Sequence, residues 1–163
     1  MTKVQFQSAV FFVRDVQAAR YFYEDLLGQT VAMDHGPNVG FEGGFAIWQI
    51  DHALQTIFGR TPQVAGQLGR ENSELYFEAV DLDAIWARLS DAGVAVVHPL
   101  REQPWGQRVV RVYDPDGHIV EVGEPMWVVV QRFLAQEMSA AAVAERTSMP
   151  VAVVEQIAQN LGA

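Results

Sequence analysis

A pattern of strand-like and helix-like residues occurs twice in this chain, with the second copy about 66 positions after the first. In each copy an apolar run is followed by an aspartate, Asp15 or Asp81, and then by an amphipathic segment that ends at Gly28 or Gly93. Aspartate caps the first amides of a helix, and glycine adopts the left-handed conformation that ends one. Each copy therefore predicts a strand followed by a helix.

Three short strand-like segments follow each of these helices. They span roughly residues 30–33, 39–41 and 45–50 in the first copy and 94–97, 108–113 and 119–122 in the second. Each copy is thus a βαβββ unit whose helix covers one face of its sheet. We predict an α+β fold in which two such modules form a curved mixed sheet around a shared cleft, with a C-terminal helical extension.

The predicted modules span residues 5–57 and 74–124, with a linker loop over 58–73 and a helical tail over 125–163. Part of the tail resembles the helix-turn-helix of small DNA-binding regulators. The tail holds two arginines and three glutamates, however, so it has no phosphate-neutralising face. A helical cap or a dimer contact is the favoured interpretation, using residues Trp127, Val130, Phe133 and Leu134.

Composition excludes several classes of protein. The net charge is −9, which argues against a nucleic-acid partner. There is no cysteine, so disulfides and thiolate sites are excluded. No apolar run is long enough to span a bilayer, and the first residues lack the pattern of a secretory signal. We therefore expect a cytoplasmic protein with no membrane partner.

One turn in the second copy delivers a charged residue into an apolar strand. Asp114-Pro115-Asp116-Gly117 is strong turn chemistry, and Glu121 lies within the strand that follows. Such a carboxylate faces either solvent or a cavity in which charge is needed.

These motifs resemble the vicinal oxygen chelate superfamily, which includes glyoxalase I, bleomycin-resistance and fosfomycin-resistance proteins and extradiol dioxygenases. The resemblance covers about residues 5–124 and rests on four motifs: Val13-Arg14-Asp15, the run from Phe22 to Gly28, Pro104-Trp105-Gly106, and the turn that leads to Glu121. It implies a cleft formed by eight strands. It also implies that the protein is a homodimer. In catalytic members it implies a divalent metal, held by one residue from the first and last strand of each module.

Carried over to this chain, the ligand positions are Ser8, Gln49, Glu74 and Glu121, with Trp48 in place of Gln49 if the register shifts by one. The family typically has histidine at the first-strand positions, so only Glu121 matches fully. An all-oxygen set suits Mg²⁺, Mn²⁺ or Ca²⁺ better than Zn²⁺, Ni²⁺ or Fe²⁺. We expect no bound metal, with Glu121 as the one candidate catalytic residue if a metal (Mn, Mg, Ni, Zn or Fe) is present.

Strand alternation places Glu74, Tyr76 and Glu78 on one face, while Leu75 and Phe77 lie on the other. Arg108 and Arg111 alternate to opposite faces of one strand, and one of them could bind a ligand carboxylate or pair with Glu121. The candidate ligand-binding residues are Trp48, Tyr76, Glu78, Trp105, Arg108, Arg111 and Tyr113. The four histidines, His35, His52, His98 and His118, are expected to be ordinary surface or core residues.

Two functional hypotheses follow. In the first, the protein binds a small organic ligand in the cleft, as the resemblance to bleomycin-resistance proteins implies, with a degraded metal site. In the alternative, it is a divalent-metal-dependent lyase, isomerase or dioxygenase of the glyoxalase type that uses Glu121 as metal ligand or base. The missing histidines favour the first, and Glu121 keeps the second open, so the sequence does not decide whether the protein is an enzyme.

Overall fold

The computed structural model describes residues 3–60 and 66–161, so the centre of the predicted linker lies outside the described residues. The chain forms two compact units. The first consists of Met1–Ser73 together with Tyr113–His118, and the second of Glu74–Val112 together with Ile119–Ala163. Each unit contains one four-stranded sheet.

The first unit follows the predicted βαβββ order. Its elements are β1 (Ala9–Val13), α1 (Val16–Arg20, continued by a π-helical turn over Tyr21–Leu26), β2 (Val31–Asp34), β3 (Asn38–Phe41), β4 (Phe45–Gln49) and α2 (Ile50–Phe58). The strand order is β1-β4-β3-β2, with β1 parallel to β4. Asp15 accepts hydrogen bonds from the amides of Gln17 and Ala18, as predicted for a helix cap.

The second unit repeats this topology. Its elements are β5 (Glu74–Glu78), α3 (Leu82–Asp91), β6 (Val96–Glu102), β7 (Arg108–Tyr113), β8 (Ile119–Gly123), α4 (Met126–Ala135), α5 (Ala140–Thr147) and α6 (Val151–Leu161). The last residue of β7, Tyr113, is grouped with the first unit. The strand order is β5-β8-β7-β6, with β5 parallel to β8. The predicted α+β fold with its repeated module and helical extension is confirmed, whereas the shared cleft and the homodimer stay predictions.

The helix α2 is absent from the sequence prediction, which extended β4 to Ile50 and assigned no helix after it. That assignment was wrong. Ile50, Ala53 and Leu54 are buried at helical spacing, and the side-chain oxygen of Gln49 caps the helix by accepting from the His52 amide at 2.8 Å. Five apolar residues, Ile50, Ala53, Leu54, Ile57 and Phe58, recur at helical spacing, so the signal for this helix is present in the sequence. It was missed because the helix follows β4 without an intervening turn residue.

The tail helices α4, α5 and α6 share a small apolar core of their own. Its buried residues are Val129, Val130, Phe133, Val143, Ala144 and Val154. Of the predicted contact residues, Val130 and Phe133 are therefore internal, whereas Trp127 is exposed. Helix α4 also packs closely on the loop before β7, where a Cβ on Gly106 would lie 2.3 Å from the Phe133 ring. None of the helices in the described part of the chain is long and apolar enough to cross a bilayer.

The turn at Asp114 ties the first unit together. The Asp114 carboxylate is buried and accepts hydrogen bonds from the Tyr23 hydroxyl at 2.9 Å, from the His118 Nδ1 at 2.9 Å, and from the amides of Asp116 and His118. The Asp116 carbonyl accepts from the amides of Leu68 and Gly69. These bonds make the turn a structural element of the first unit.

This turn predicts a loss of stability at alkaline pH. Burial, reinforced by the negative charge of Asp114, raises the pKa of Tyr23 well above its ordinary value of 10.0. A raised pKa in the folded state means that the stabilisation is complete below pH 10 and is lost as the pH rises above it. We expect the free energy of unfolding to fall by up to about 1.4 kcal/mol per pH unit in that range, as measured by urea denaturation.

The matched control is Tyr23→Phe, which removes the titrating group but keeps the ring. This variant should be less stable at pH 8 but should show a shallower fall between pH 10 and 11.5. Equal slopes in the two proteins would contradict the assignment of the alkaline transition to Tyr23.

Candidate functional site

One face of the second sheet carries most of the candidate residues. In β5, Leu75 is buried, whereas Glu74, Tyr76 and Glu78 are exposed. The register pairs Tyr76 with Glu121 of β8, so these two side chains are neighbours on the same face. Glu121 is only 4% exposed, so this face combines exposed polar groups with a buried carboxylate.

A guanidinium occupies the space between the two glutamates. The Nε of Arg111 lies 3.0 Å from an oxygen of Glu74, and its Nη2 forms an ion pair with Glu121. The Nη1 of Arg111 lies 3.2 Å from the Nε2 of His98. The pairing of an arginine on β7 with Glu121, anticipated from strand alternation, is confirmed for Arg111.

The tautomer of His98 follows from its second contact. Its Nδ1 lies 2.9 Å from the carbonyl oxygen of Pro99, which can only accept a hydrogen bond. The proton therefore lies on Nδ1, and the lone pair on Nε2 accepts from Arg111. Two carboxylates and one imidazole from three strands, Glu74, Glu121 and His98, thus converge on one cation.

A second group on this face holds two aromatic rings. The buried Gln107 accepts from the Trp105 indole at 3.0 Å and donates to the Tyr76 hydroxyl at 2.8 Å and to the Glu124 carbonyl at 2.8 Å. The Tyr76 hydroxyl in turn donates to Glu78 at 2.9 Å. Tyr76 is 49% and Trp105 is 40% exposed, so both rings are fixed by hydrogen bonds and yet open to solvent.

Two further features stabilise this arrangement. A Cβ on Gly123 would lie 2.9 Å from the amide nitrogen of Gln107 and 3.3 Å from the ring of Tyr76, so the absence of a side chain makes room for both. Partial burial, together with the bond to Glu78, raises the pKa of Tyr76. The hydroxyl is therefore protonated at neutral pH and remains a donor to Glu78.

Arg108 lies in a different network from Arg111. It bonds Glu124 at 2.8 Å and Asp83 at 2.7 Å, and Glu124 also binds Arg132 of α4 at 2.9 Å. The hydrogen bond between Arg108 and Asp83 is the main reason why the pKa of Asp83 is lowered and the pKa of Arg108 is raised. Two carboxylates therefore already neutralise Arg108. Through Asp83 and Glu124 it connects β7 to α3 and to the tail helix α4 within the second unit.

The predicted metal ligands of the first unit are engaged locally. Ser8 is exposed and its hydroxyl donates to the carbonyl of Ala9, while the side-chain oxygen of Gln49 caps α2. Trp48, the alternative position, donates its indole hydrogen to His52 at 2.8 Å. The last candidate, Tyr113, is half-buried at the end of β7.

The strand registers also relate the two modules position by position. Val10 pairs with Ala46 in the first sheet, and its repeat partner Tyr76 pairs with Glu121 in the second. Glu121 therefore corresponds to Ala46, and by the same count Gln49 corresponds to Glu124. The first module thus has an apolar methyl where the second has its buried carboxylate.

The residues present do not fit the divalent metal that the resemblance implies. Gln49 is a helix cap, and Glu74 and Glu121 share a guanidinium that already supplies positive charge. Within residues 3–60 and 66–161, no group of three or more histidine, aspartate or glutamate side chains is arranged to hold a metal ion.

Comparison with known proteins identifies the family. The model of the glyoxalase-like domain matches residues 6–127. The chain belongs to the glyoxalase-like domain family. This confirms the resemblance to the vicinal oxygen chelate superfamily and covers both βαβββ modules, while most of the helical tail lies beyond the matched residues.

Solved structures share the fold of this chain. A protein of unknown function from Agrobacterium tumefaciens strain C58 is 42% identical to this glyoxalase-like protein, with a TM-score of 0.70 over 77% of this chain and 97% of that one. A glyoxalase/bleomycin resistance protein/dioxygenase from Nocardioides is 22% identical, with a TM-score of 0.58 over 76% of this chain and 85% of that one, and shows a likeness of fold.

Curated relatives are uncharacterised proteins of mycobacteria. One from Mycobacterium bovis is 32% identical over 83 residues, which is 51% of this chain and 54% of that protein. One from Mycobacterium tuberculosis strain H37Rv has the same identity over 48% of its length. The glyoxalase-like chain thus spans about half the length of the curated relatives that it matches.

Sequence reasoning missed two residues of this site, Gln107 and His98. Gln107 directly precedes β7 and lies four positions before Arg111. Alternation extended by one residue places the two on one face and could have found Gln107. His98 was expected to be an ordinary surface or core residue, whereas its side chain contacts Arg111, its pairing partner across β6 and β7. A register with two irregularities in that strand pair is not visible in the sequence.

Proposed function

We propose that this glyoxalase-like protein binds a small planar organic compound on the polar face of its second sheet, and that no metal takes part in the binding. The observation that carries the proposal is the pair of exposed rings, Tyr76 and Trp105, that Gln107 holds in place. Exposed aromatic surface is the main source of binding energy for small ligands. Rings that are already fixed lose little conformational entropy when a ligand binds.

The charge of this face favours one class of ligand. Glu74, Glu78 and Glu121 contribute three carboxylates, and Arg111 contributes one guanidinium, which is engaged with two of them. Glu78 is exposed beside Tyr76, and its partner there is a neutral hydroxyl. We therefore expect planar heteroaromatic amines to bind more tightly than carboxylates of the same shape.

The alternative is a metal-dependent lyase, isomerase or dioxygenase in which Glu121 acts as ligand or base. Glu121 would then have to leave Arg111, because a carboxylate in an ion pair is a poor base and a poor metal ligand. The observation that favours this alternative is the buried position of Glu121 beside the exposed aromatic rings. The metal-dependent function ranks below metal-free ligand binding because it requires Arg111 to move.

A binding screen with two matched tryptophan variants tests the proposal. A panel of planar heteroaromatic amines and carboxylates is titrated by calorimetry in buffer with EDTA. Trp105→Leu should weaken the best binder about tenfold or more, since loss of a ring contact typically costs more than 1 kcal/mol. Trp127→Leu is the control, because Trp127 is similarly exposed at 42% but lies on α4.

Gln107→Leu separates ring position from ring presence. It keeps both aromatic side chains but removes the bonds that fix them, so the affinity should fall while both rings remain. The proposal is wrong if no compound binds in EDTA, or if the Trp105 and Trp127 variants weaken binding equally. Binding that appears only when Mn²⁺, Ni²⁺ or Zn²⁺ is added would favour the metal-dependent alternative.

A further inference from the structure

The groups around the Arg111 guanidinium are those that would bind a metal cation. The guanidinium is paired with the carboxylates of Glu74 and Glu121 and donates to the lone pair of His98, all within the second unit. Two carboxylates and one imidazole form a donor set that binds Mn²⁺, Co²⁺, Ni²⁺ or Zn²⁺ well. The positive charge between these groups is supplied by the chain itself.

We infer that Arg111 keeps divalent metals out of this site. While the guanidinium is in place, Glu74, Glu121 and His98 are not arranged to hold a metal ion, and its removal lets them move together into a divalent-cation site. This inference concerns His98, which is outside the set implied by the family resemblance, and it is independent of the proposed ligand. Tyr76 and Trp105 are held by Gln107 and not by Arg111.

The donors are prepared for a cation in two ways. The His98 proton is fixed on Nδ1 by the Pro99 carbonyl, so Nε2 presents its lone pair, as a metal-bound imidazole requires. Glu121 is buried to 5% side-chain exposure, so its charge needs a partner within the protein. Glu74 is 42% exposed and can turn to close the gap that the guanidinium fills.

Competition from a tethered cation explains the exclusion. A metal can enter only in molecules in which Arg111 has moved away. The apparent affinity of the metal is therefore its affinity for the open site multiplied by the fraction of molecules in which the site is open. If Arg111 is withdrawn in about 1% of molecules, the apparent affinity is about 100-fold weaker than that of the open site.

The experiment compares the wild-type protein with Arg111→Met, which keeps an unbranched apolar stem and removes the charged guanidinium. Both are stripped with EDTA, dialysed and titrated with NiCl₂, MnCl₂ and ZnCl₂ by calorimetry and by thermal melting. Arg111→Met should bind Ni²⁺ about 100-fold more tightly than wild type. Co²⁺ should give a visible absorption band in the variant alone.

Three variants identify the ligands. Arg108→Met removes a guanidinium from the same strand but from the Glu124–Asp83 network, and it should gain no metal binding. In the Arg111→Met background, Glu121→Gln should abolish the gain. His98→Ala in that background should weaken Ni²⁺ more than Mn²⁺, because nickel prefers imidazole.

The inference is overturned if a folded Arg111→Met binds the three metals no more tightly than wild type, or if wild type binds them equally well. If Arg111→Met is unfolded in EDTA, recovery of its cooperative melting on addition of Ni²⁺ supports the inference, since metal binding is coupled to folding. If no metal restores it, Arg111→His decides: a folded variant that still binds no metal refutes the site.

Discussion

Replacement of Asp114 by alanine is expected to lower the free energy of unfolding by about 3–5 kcal/mol. The buried carboxylate accepts four hydrogen bonds, from Tyr23, from the ring and amide of His118, and from the amide of Asp116. Alanine leaves the Tyr23 hydroxyl buried without a partner and removes the acceptor that closes the turn. Urea denaturation followed by far-UV circular dichroism measures the loss.

Two further variants divide this effect among the four bonds. Tyr23→Phe removes one bond and should cost about 1–2 kcal/mol. Asp114→Asn keeps one acceptor oxygen and should fall between wild type and Asp114→Ala. A loss below about 1 kcal/mol for Asp114→Ala would show that the turn is held mainly by its backbone, against the role assigned to the carboxylate.

The repeated module was predictable because its signals are local. Asp15 and Asp81 cap helices, and Gly28 and Gly93 end them. The two sheets also share one strand order, as expected of a repeat. The helix α2 has a local signal too, since five of its nine residues are apolar at helical spacing, but it was missed because it follows a strand without a break. Gln49 shows the consequence: a residue assigned to a metal from its position in a strand is the cap of that missed helix.

The candidate site was predictable only in part. Alternation correctly placed Glu74, Tyr76 and Glu78 together and offered Arg111 as a partner for Glu121. The choice between Arg108 and Arg111 depends on which face of β7 each occupies relative to β8, and this is set by pairing between distant strands. The inclusion of His98 likewise depends on the irregular register of β6.

In metal-free buffer at pH 8, Arg111→Met is expected to lower the free energy of unfolding by about 3–5 kcal/mol. The variant leaves Glu121 charged at 5% side-chain exposure and without a counterion, and Glu74 adds a second negative charge nearby. A buried carboxylate without a partner favours its protonated form. The deficit relative to wild type should therefore be largest at pH 8 and should shrink as the pH falls towards 4.

The double variant Arg111→Met/Glu121→Leu tests whether the cost arises from the uncompensated charge. Replacement of both partners of a buried ion pair by apolar residues is often nearly neutral, so most of the lost stability should return. A double variant as unstable as Arg111→Met would assign the cost to packing.

Saturating Ni²⁺ should also restore stability to Arg111→Met, because a ligand that binds only the folded state stabilises it by mass action. The same cation should leave the double variant unchanged, since that variant lacks one carboxylate of the site. Stability restored by charge removal and by a divalent cation would identify the Arg111 guanidinium as the internal counterion of Glu121.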